Sequence, residues 1–354
     1  MRRFLIFSVG LLSPFFSRAT SLLPNFKNSI SIEIQSIKRI FFNQDHNAFP
    51  DAIYYKNNFF VALRSCPDGH MVFTTSRIII LSSRDGINWS LNHSFSIPNR
   101  DVRDPHFCIF KNNLFLYTGT WYAQNLIAPG AYEMNMQLGF SIQTSNGKAW
   151  STPKALPGTE GHYIWKAGVF NNKMFLSARR NINFKPMHGE TPYIESVLLS
   201  SDDGFNWSEF MLLDRKFGDE IAFMINKNGL FLGIARGYGL ETASLLTVDL
   251  LTKKLISNVK LQKYIGGPMI HKWGEDIIVG GREHLANDSY TTSLYLLKQD
   301  KLIKLVELPS GGDCSYPGMI VLSDNKAMVV YYSSHGTLPH ENKSSIYIAN
   351  LYKH

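Results

Sequence analysis

The chain has 354 residues, of which 44% are hydrophobic and 13% aromatic, and its formal net charge is +8 with a pI of about 9.2. This apolar content is enough for a folded core and excludes an intrinsically disordered chain. The basic residues are scattered and form no groove-reading motif, so the composition argues against nucleic-acid binding and is compatible with acidic ligands. An odd number of cysteines, Cys66, Cys108 and Cys314, allows at most one disulfide, and we expect three small buried residues.

Residues 1–19 have the pattern of an export signal. Two arginines precede a 13-residue apolar run at 4–16, and Ser17-Arg18-Ala19 suits a small-x-small cleavage site. The run is short for a bilayer span and contains Pro14, which leaves an uncleaved anchor as the alternative. We therefore expect a secreted or periplasmic protein without a stable membrane span, whose charge falls to +5 because cleavage removes three arginines.

Six later segments each contain an apolar strand, a tight turn rich in Asn, Gly, Lys or Asp, and a second apolar strand, which is the pattern of a β-hairpin. They lie at 51–64, 104–121, 165–180, 220–236, 267–283 and 316–334. Their turn residues are Asn57, Asn112, Asn172, Asn228, Gly274 and Asn325. Successive turn residues are 55, 60, 56, 46 and 51 positions apart. Helical periodicity is absent, so the repeat predicts an all-β fold, a six-bladed β-propeller forming one domain from about residue 30 to 354.

A second repeat lies between the first hairpins, at 82–89, 144–150 and 200–207. Each copy places Asp or Asn before Gly, and Trp three residues after that Gly. Small polar residues close such a turn, Gly adopts the backbone shape that a Cβ disfavours, and Trp packs the turn on its blade. The copies resemble the Asp-box, or BNR, repeats of the sialidase superfamily, although Arg84 takes the Asp place in the first. We assign them a structural role.

Charged and aromatic residues recur at the open ends of the hairpins, which ring one face if the six blades are equivalent. The strands start at Asp51, Asp104, Trp165, Glu220, Gly267 and Tyr316, and they end at Arg64, Trp121, Arg179, Arg236, Arg282 and near Tyr332. Four of these six ends are arginine, the residue suited to gripping a carboxylate at two points. We interpret the arginines as a binding site for an acidic ligand; salt bridges between blades are the alternative.

The order Glu220, Arg236, Arg282 and Tyr316 resembles the sialidase (neuraminidase) family, in which three arginines hold the sugar carboxylate, a Tyr–Glu pair attacks and an Asp moves the proton. The resemblance implies that Tyr316 is the nucleophile and that Glu220 assists it. A neutral phenol avoids the repulsion that an anionic nucleophile would meet beside a substrate carboxylate. We expect the neighbouring carboxylate and arginines to ease deprotonation of Tyr316. A rim aromatic and a structural ion pair are the alternatives for these two residues.

The segment "RDVRDPHFCIF" and the following "LYTGTW" resemble the second blade of that family, which implies that Asp104 and Trp121 border the sugar's substituents. Two positions depart from the family. Ala48-Phe49-Pro50 stands where the family has Arg-Ile-Pro, so Arg64 on the paired strand is our candidate for the first carboxylate arginine.

The usual acid/base Asp also has no counterpart ahead of the first Asp box. Asp68 and His70 in the loop "SCPDGHM" are the available substitutes, and Asp51 is a weaker option. The resemblance implies an exo-glycosidase that removes a terminal sialic acid or related ulosonic acid from glycans. The alternative is a non-catalytic propeller that binds glycans or proteins. The eleven histidines show no ligand spacing, so we expect neither a metal nor a cofactor.

Overall fold

The computed structural model describes residues 30–123, 133–185, 194–214, 219–337 and 341–354. The export signal predicted at 1–19 lies outside these residues. The unit Ser31–His354 contains six four-stranded antiparallel sheets, and the helices in its described residues are two 3₁₀ turns, Met134–Met136 and Ile182–Phe184. The predicted six-bladed β-propeller is therefore confirmed. Within these ranges no helix has the length and apolarity that a bilayer span requires.

Each blade is numbered from its inner strand outward. Blade 1 consists of β2 (His46–Tyr55), β3 (Asn58–Cys66), β4 (Arg77–Ser83) and β5 (Ser90–Phe95). Blade 2 consists of β6 (Arg100–Phe110), β7 (Asn113–Tyr122), β8 (Phe140–Thr144) and β9 (Lys154–Ala155). Blade 3 consists of β10 (Tyr163–Phe170), β11 (Lys173–Asn181), β12 (Ile194–Ser201) and β13 (Ser208–Asp214).

The second half of the ring repeats this arrangement. Blade 4 consists of β14 (Ile221–Ile225), β15 (Leu230–Ala235), β16 (Ser244–Asp249) and β17 (Lys254–Lys260). Blade 5 consists of β18 (Gly266–Trp273), β19 (Asp276–His284), β20 (Tyr290–Lys298) and β21 (Lys301–Leu308). Blade 6 consists of β22 (Cys314–Ser323), β23 (Lys326–Ser333), β24 (Ser345–Lys353) and, outermost, β1 (Ile32–Phe41).

The inner strands β2, β6, β10, β14, β18 and β22 contact one another in a closed ring around the central channel. The N-terminal strand β1 pairs antiparallel with β24 and thereby completes the last blade. The main apolar clusters lie between adjacent blades; one of them joins Phe60 and Ile78 of blade 1 to Leu114 and Ile142 of blade 2. The three cysteines are buried and free, as we expected.

The hairpin turns of blades 1 to 3 follow the predicted chemistry. Both central residues have positive φ at Lys56-Asn57 (46° and 61°), Lys111-Asn112 (46° and 64°) and Asn171-Asn172 (47° and 58°). This is the type I′ conformation, whose twist matches that of the flanking strands. The inner hairpins therefore join β2 to β3, β6 to β7 and β10 to β11 at the positions that the sequence marks.

The Asp-box repeats form the turns between the third and fourth strands of blades 1 to 3. Oδ1 of Asp203 accepts hydrogen bonds of 2.8 Å from the backbone N–H groups of Phe205 and Asn206. Asp85 and Asn146 accept the equivalent bonds in the other two copies. The bonding residue is thus the one directly before Gly, which explains why Arg84 does not disturb the first copy.

Candidate active site

Five of the six inner strands lose register near their N-terminal ends. The bulged pairs are Phe49-Pro50, Asp104-Pro105, Trp165-Lys166, Gly267-Pro268 and Tyr316-Pro317. Proline cannot donate to the ladder, so it is accommodated where pairing is already broken. The residues before the four prolines have φ between 50° and 56°, a left-handed conformation that is unusual for Phe, Asp and Tyr and that clusters at functional sites.

Three of these bulges, through Phe49, Asp104 and Tyr316, border a cavity of about 180 Å³. Its lining residues are Phe49, His70, Met71, Val72, Arg103, Asp104, Trp121, Tyr163, Arg179, Glu220 and Tyr316. Six residues that we selected from the sequence therefore share one cavity: Tyr316, Glu220, His70, Asp104, Trp121 and Arg179. Two more, Arg236 and Arg282, contact Tyr316 from its other sides.

Tyr316 and Glu220 form a direct pair in this cavity. The Tyr316 hydroxyl donates to Oε1 of Glu220 at 2.8 Å. Nη1 of Arg236 lies 3.2 Å from both Glu220 oxygens and 3.2 Å from the Tyr316 hydroxyl. The backbone N–H of Gly267 donates to Oε2 at 3.0 Å, so the Glu220 carboxylate is fixed from three directions.

The protonation states of this pair are set by burial and charge. Burial opposes ionisation of Glu220, but the charges of Arg236 and Arg179 outweigh it and lower the pKa of this carboxyl. Burial, and then the Glu220 carboxylate, raise the pKa of Tyr316 above its ordinary value, against the attraction of Arg236 and Arg282. Our expectation that these neighbours ease deprotonation of Tyr316 therefore holds for the two arginines, which lower its pKa, and is wrong for Glu220 and for the net shift. The resting pair is a neutral phenol beside a carboxylate.

The arginines around the pair are partly neutralised. Arg179 and Arg236 both face Asp219, and the Nε atoms of both are buried with no hydrogen-bond partner among the residues that the structure describes. Arg282 donates to Asp313 at 3.1 Å and to the Tyr332 hydroxyl at 2.8 Å. Its guanidinium also lies 5.5 Å from the Tyr316 ring centroid.

Asp104 is the acid of the cavity with the most unusual environment. Its Oδ2 accepts the Tyr163 hydroxyl, while its Oδ1 is buried without a partner among the described residues. Burial raises the pKa of Asp104 to about 7, because the attraction of Arg103 offsets only part of the desolvation and Glu220 adds repulsion. Asp104 is therefore protonated over much of the range in which Glu220 is ionised.

Three selected residues do not reach the cavity. Arg64 has no exposed surface, and its guanidinium donates hydrogen bonds to Asp101 and to two backbone carbonyls. Asp68 is exposed and accepts a hydrogen bond from Thr75. The bulge Phe49-Pro50 is equivalent to the bulge Tyr316-Pro317, so Phe49 occupies the position that corresponds to Tyr316. Asp51 follows two residues later and does not line the cavity.

Asp51 instead ties three blades together across the channel. Its two oxygens each lie 3.0 Å from Nζ of Lys166, and one accepts the N–H of Phe107 at 2.8 Å. Toward the other end of the inner strands this ion pair borders a larger, mainly apolar cavity of about 520 Å³. The ion pair there is satisfied internally, and burial raises the pKa of the Cys108 thiol that lines that cavity to about 12, so we assign the chemistry to the smaller one.

Sequence reasoning missed Arg103, Asp313 and His46. Arg103 lines the cavity 4.9 Å from the Phe49 ring centroid. Oδ2 of Asp313 lies 2.7 Å from Nε2 of His46 and 2.6 Å from Nδ1 of His70. The X-Pro pairs at equivalent positions of four hairpins were the available signal for Arg103, which directly precedes one of them; His46 and Asp313 carried no local signal.

The cluster of His46, His70 and Asp313 has the donor types of a metal site, with its ligand atoms within 4.8 Å of one another. Two ligands of one zinc ion, each roughly 2.0–2.2 Å from it, stand about 3 Å apart or more. The shorter N···O distances here are those of charge-assisted hydrogen bonds. Arg282 also donates to the same carboxylate, which disfavours a cation. The cluster is best described as a carboxylate that orients two imidazoles.

No protein-family model matches this sequence, and no curated protein does. The fold is similar to that of a protein of unknown function from Dyadobacter fermentans, with TM-score 0.74 and 18% identity over 91% of this chain and 99% of that one. The endosialidase of phage phi92 has TM-score 0.64 and 9% identity over 90% and 69% of the two chains. Trypanosoma rangeli sialidase has TM-score 0.58 and 14% identity over 86% of this chain and 55% of its own length. At these identities the likeness establishes a sialidase-like fold.

Proposed function

We propose that this protein is an exo-acting glycoside hydrolase of sialidase type, which releases a terminal sialic acid or related ulosonic acid from glycans. The observation that carries the proposal is the hydrogen bond from Tyr316 to the buried Glu220 carboxylate, beside Arg236, in a cavity of about 180 Å³. The export signal expected at 1–19 would place this activity outside the cytoplasm.

The protonation states of the pair suit attack on an anionic sugar. A neutral phenol approaches an anomeric carbon that bears a carboxylate without charge repulsion, and tyrosine nucleophiles are the sialidase exception among glycosidases. As the Tyr316 oxygen bonds to that carbon, its proton passes to Glu220 as general base. Because burial and the Glu220 carboxylate raise the pKa of Tyr316, we expect this transfer to accompany attack rather than precede it.

The arginines supply the expected carboxylate recognition. Arg179 lines the cavity, and Arg236 contacts the nucleophile. Planar guanidinium groups bind carboxylates through two parallel hydrogen bonds. A volume of about 180 Å³ is below the range of roughly 300–1,000 Å³ for pockets that enclose drug-sized molecules, so we expect the aglycone to stay outside.

The experiment is hydrolysis of fluorogenic sialosides by the wild type, Tyr316→Phe and, as a matched control, Tyr54→Phe, whose ring is exposed on blade 1. We expect Tyr316→Phe to lose at least about a thousandfold in kcat, as removal of a nucleophile does, and Tyr54→Phe to be unchanged. Turnover that survives Tyr316→Phe would contradict the nucleophile assignment.

A binding propeller is the second candidate, and the observation that favours it is that Asp68, the carboxylate of the loop after β3, does not reach the cavity. That candidate would be supported if the wild type binds sialylated glycans but hydrolyses no acidic sugar in a panel that includes other ulosonic acids and uronates. Hydrolysis of a different acidic sugar would keep the mechanism and change the substrate.

A further inference from the structure

The loop between β3 and β4, residues 67–76, is held by two arginines. Nη1 of Arg64 donates to the carbonyl of Gly69 at 2.9 Å, and Nη2 donates to the carbonyl of Met71 at 2.8 Å. Nη2 of Arg103 donates to the carbonyl between them, that of His70, at 3.0 Å. Three consecutive carbonyls of one loop therefore each accept a hydrogen bond from a guanidinium.

Both guanidiniums are in turn held by Asp101, which is fully buried. Arg64 contacts it through Nε at 2.9 Å and Nη2 at 3.2 Å, and Arg103 through Nη1 at 3.3 Å. Buried ion pairs of this kind contribute little net stability, because desolvation offsets their attraction. We call the group of Arg64, Asp101 and Arg103 the loop clamp. The loop clamp fixes the backbone at residue 70.

The side chain of His70 is oriented as firmly as its backbone. Its Nδ1 lies 2.6 Å from Oδ2 of Asp313. Burial opposes ionisation of Asp313, but hydrogen bonds from His46 and His70 and the charge of Arg282 outweigh it and hold its pKa well below the usual range. A carboxylate only accepts, so Nδ1 of His70 carries the proton and donates it to this bond. Nε2 then has no hydrogen-bond partner among the described residues, and His70 lines the cavity together with Tyr316.

We propose that His70 is the general acid and base of this site, that Asp313 and the loop clamp are its positioning residues, and that the histidine stands in for an acid/base carboxylate. The inference rests on the proposed glycosidase function. It also gives Arg64 a role, which is to hold the loop that carries His70 rather than to bind substrate.

The two steps balance with this assignment. His70 enters the first step as the imidazolium, with Nδ1–H donated to Asp313 and a second proton on Nε2. In this step the Tyr316 oxygen bonds to the anomeric carbon and its proton passes to Glu220, while the bond to the aglycone breaks and Nε2–H of His70 protonates the departing oxygen, which leaves a neutral ring with its proton on Nδ1. In the second, water bonds to the anomeric carbon and gives a proton to Nε2, while the bond to Tyr316 breaks and Glu220 returns the proton to the phenolate.

The test compares a sialoside with a good leaving group, methylumbelliferyl, and one with a poor leaving group, lactose. General acid catalysis contributes roughly 10²–10⁴-fold where the leaving group needs a proton. We therefore expect His70→Ala to lose at least about a hundredfold in kcat/KM on sialyllactose and less than about tenfold on the aryl sialoside. We expect Asp313→Asn to lose more kcat/KM on sialyllactose than on the aryl sialoside as well, but by a smaller factor. If the role of these residues were purely structural, kcat/KM would fall equally on both substrates.

Asp68→Asn, in the same loop but outside the cavity, is the matched control and should leave both activities unchanged. Asp104→Asn tests the rival acid of the cavity. The assignment would be overturned if His70→Ala lost kcat/KM equally on the two substrates. It would also be overturned if Asp104→Asn, rather than His70→Ala, lost much more kcat/KM on sialyllactose than on the aryl sialoside. Loss of wild-type activity on treatment with a chelator would overturn it in favour of a metal at His46, His70 and Asp313.

Trapping with a difluorinated sialic acid separates this inference from the proposed function, because departure of fluoride needs no general acid. We expect wild type and His70→Ala both to accumulate a covalent adduct on Tyr316, visible as a mass increase on the peptide that contains it. Wild type that neither turns over nor forms the adduct would overturn the proposed function and this inference together. An adduct in both proteins, without a leaving-group split in His70→Ala, would overturn the inference alone.

Discussion

Replacing Asp104 by asparagine removes a carboxyl group that the fold holds in an unfavourable place. Burial raises the pKa of Asp104 to about 7, from 3.8 for an ordinary aspartate. Asparagine tolerates the left-handed φ of 50° at this position, and its side-chain oxygen can still accept the Tyr163 hydroxyl. The substitution therefore isolates the cost of the buried charge.

The sign of the effect follows from proton binding. The folded protein keeps the Asp104 proton up to about pH 7, whereas the unfolded chain loses it near pH 3.8, so stability falls as pH rises through this window. Linkage gives a cost of roughly 2 kcal/mol at pH 5 and roughly 4 kcal/mol at pH 8. Relative to wild type, Asp104→Asn should thus gain about 2–3 kcal/mol more at pH 8 than at pH 5.

The assay is guanidinium chloride unfolding at both pH values, followed by tryptophan fluorescence. Asp203→Asn in the third Asp box is the control. Burial opposes ionisation of Asp203, but hydrogen bonds from Asn206, Phe205 and Ser201 outweigh it and lower the pKa of this carboxyl. Its contribution to stability is therefore complete above the unfolded pKa and should be equal at pH 5 and pH 8. A difference between Asp104→Asn and wild type that stays constant or shrinks from pH 5 to pH 8 would refute the buried-charge reasoning.

Two further predictions concern stability, and unfolding midpoints measure both. Lys166→Met removes the lysine partner of the buried Asp51 carboxylate, which keeps only His106 at 3.6 Å and the Phe107 N–H, and should cost about 3 kcal/mol. The double variant Asp51→Asn/Lys166→Met should recover most of this loss, and a single variant as stable as the double would contradict the prediction. Gly158→Ala would place a Cβ 1.9 Å from the Trp207 carbonyl oxygen, whereas Gly239→Ala, also at positive φ, meets nothing within 4 Å. We expect Gly239→Ala to lose about 1 kcal/mol of stability from the left-handed backbone alone and Gly158→Ala to lose clearly more. Equal losses would mean that the contact with the Trp207 carbonyl oxygen does not destabilise Gly158→Ala.

The fold could be predicted because its information is local and repeated. Residues such as Asn57, Asn112 and Asn172 are required by the backbone of each tight turn itself, whatever the rest of the chain does. The Asp boxes are equally local, since Asp203 bonds only to residues two and three positions ahead. The pairing of Tyr316 with Glu220 came from a resemblance in residue order, and the structure brings the two together across 96 positions.

The parts of the site that sequence reasoning missed depend on long-range geometry. A bulge of one X-Pro pair moves Asp51 from the mouth of the channel to its interior and puts Phe49 in its place. Arg64 has the residue type and spacing of a carboxylate-binding arginine, but Asp101, 37 positions away, holds it under a loop instead.

The amino-acid sequence by itself determined six blades, their turns and the charged residues near one face, because strand alternation and turn chemistry act over a few residues. Only the tertiary structure decided which of those charges face a ligand and which face one another. Burial makes an unpaired charge costly, so each arginine and carboxylate is assigned by the partner that the closed ring brings to it, and 267 positions separate His46 from the Asp313 carboxylate that it shares with His70.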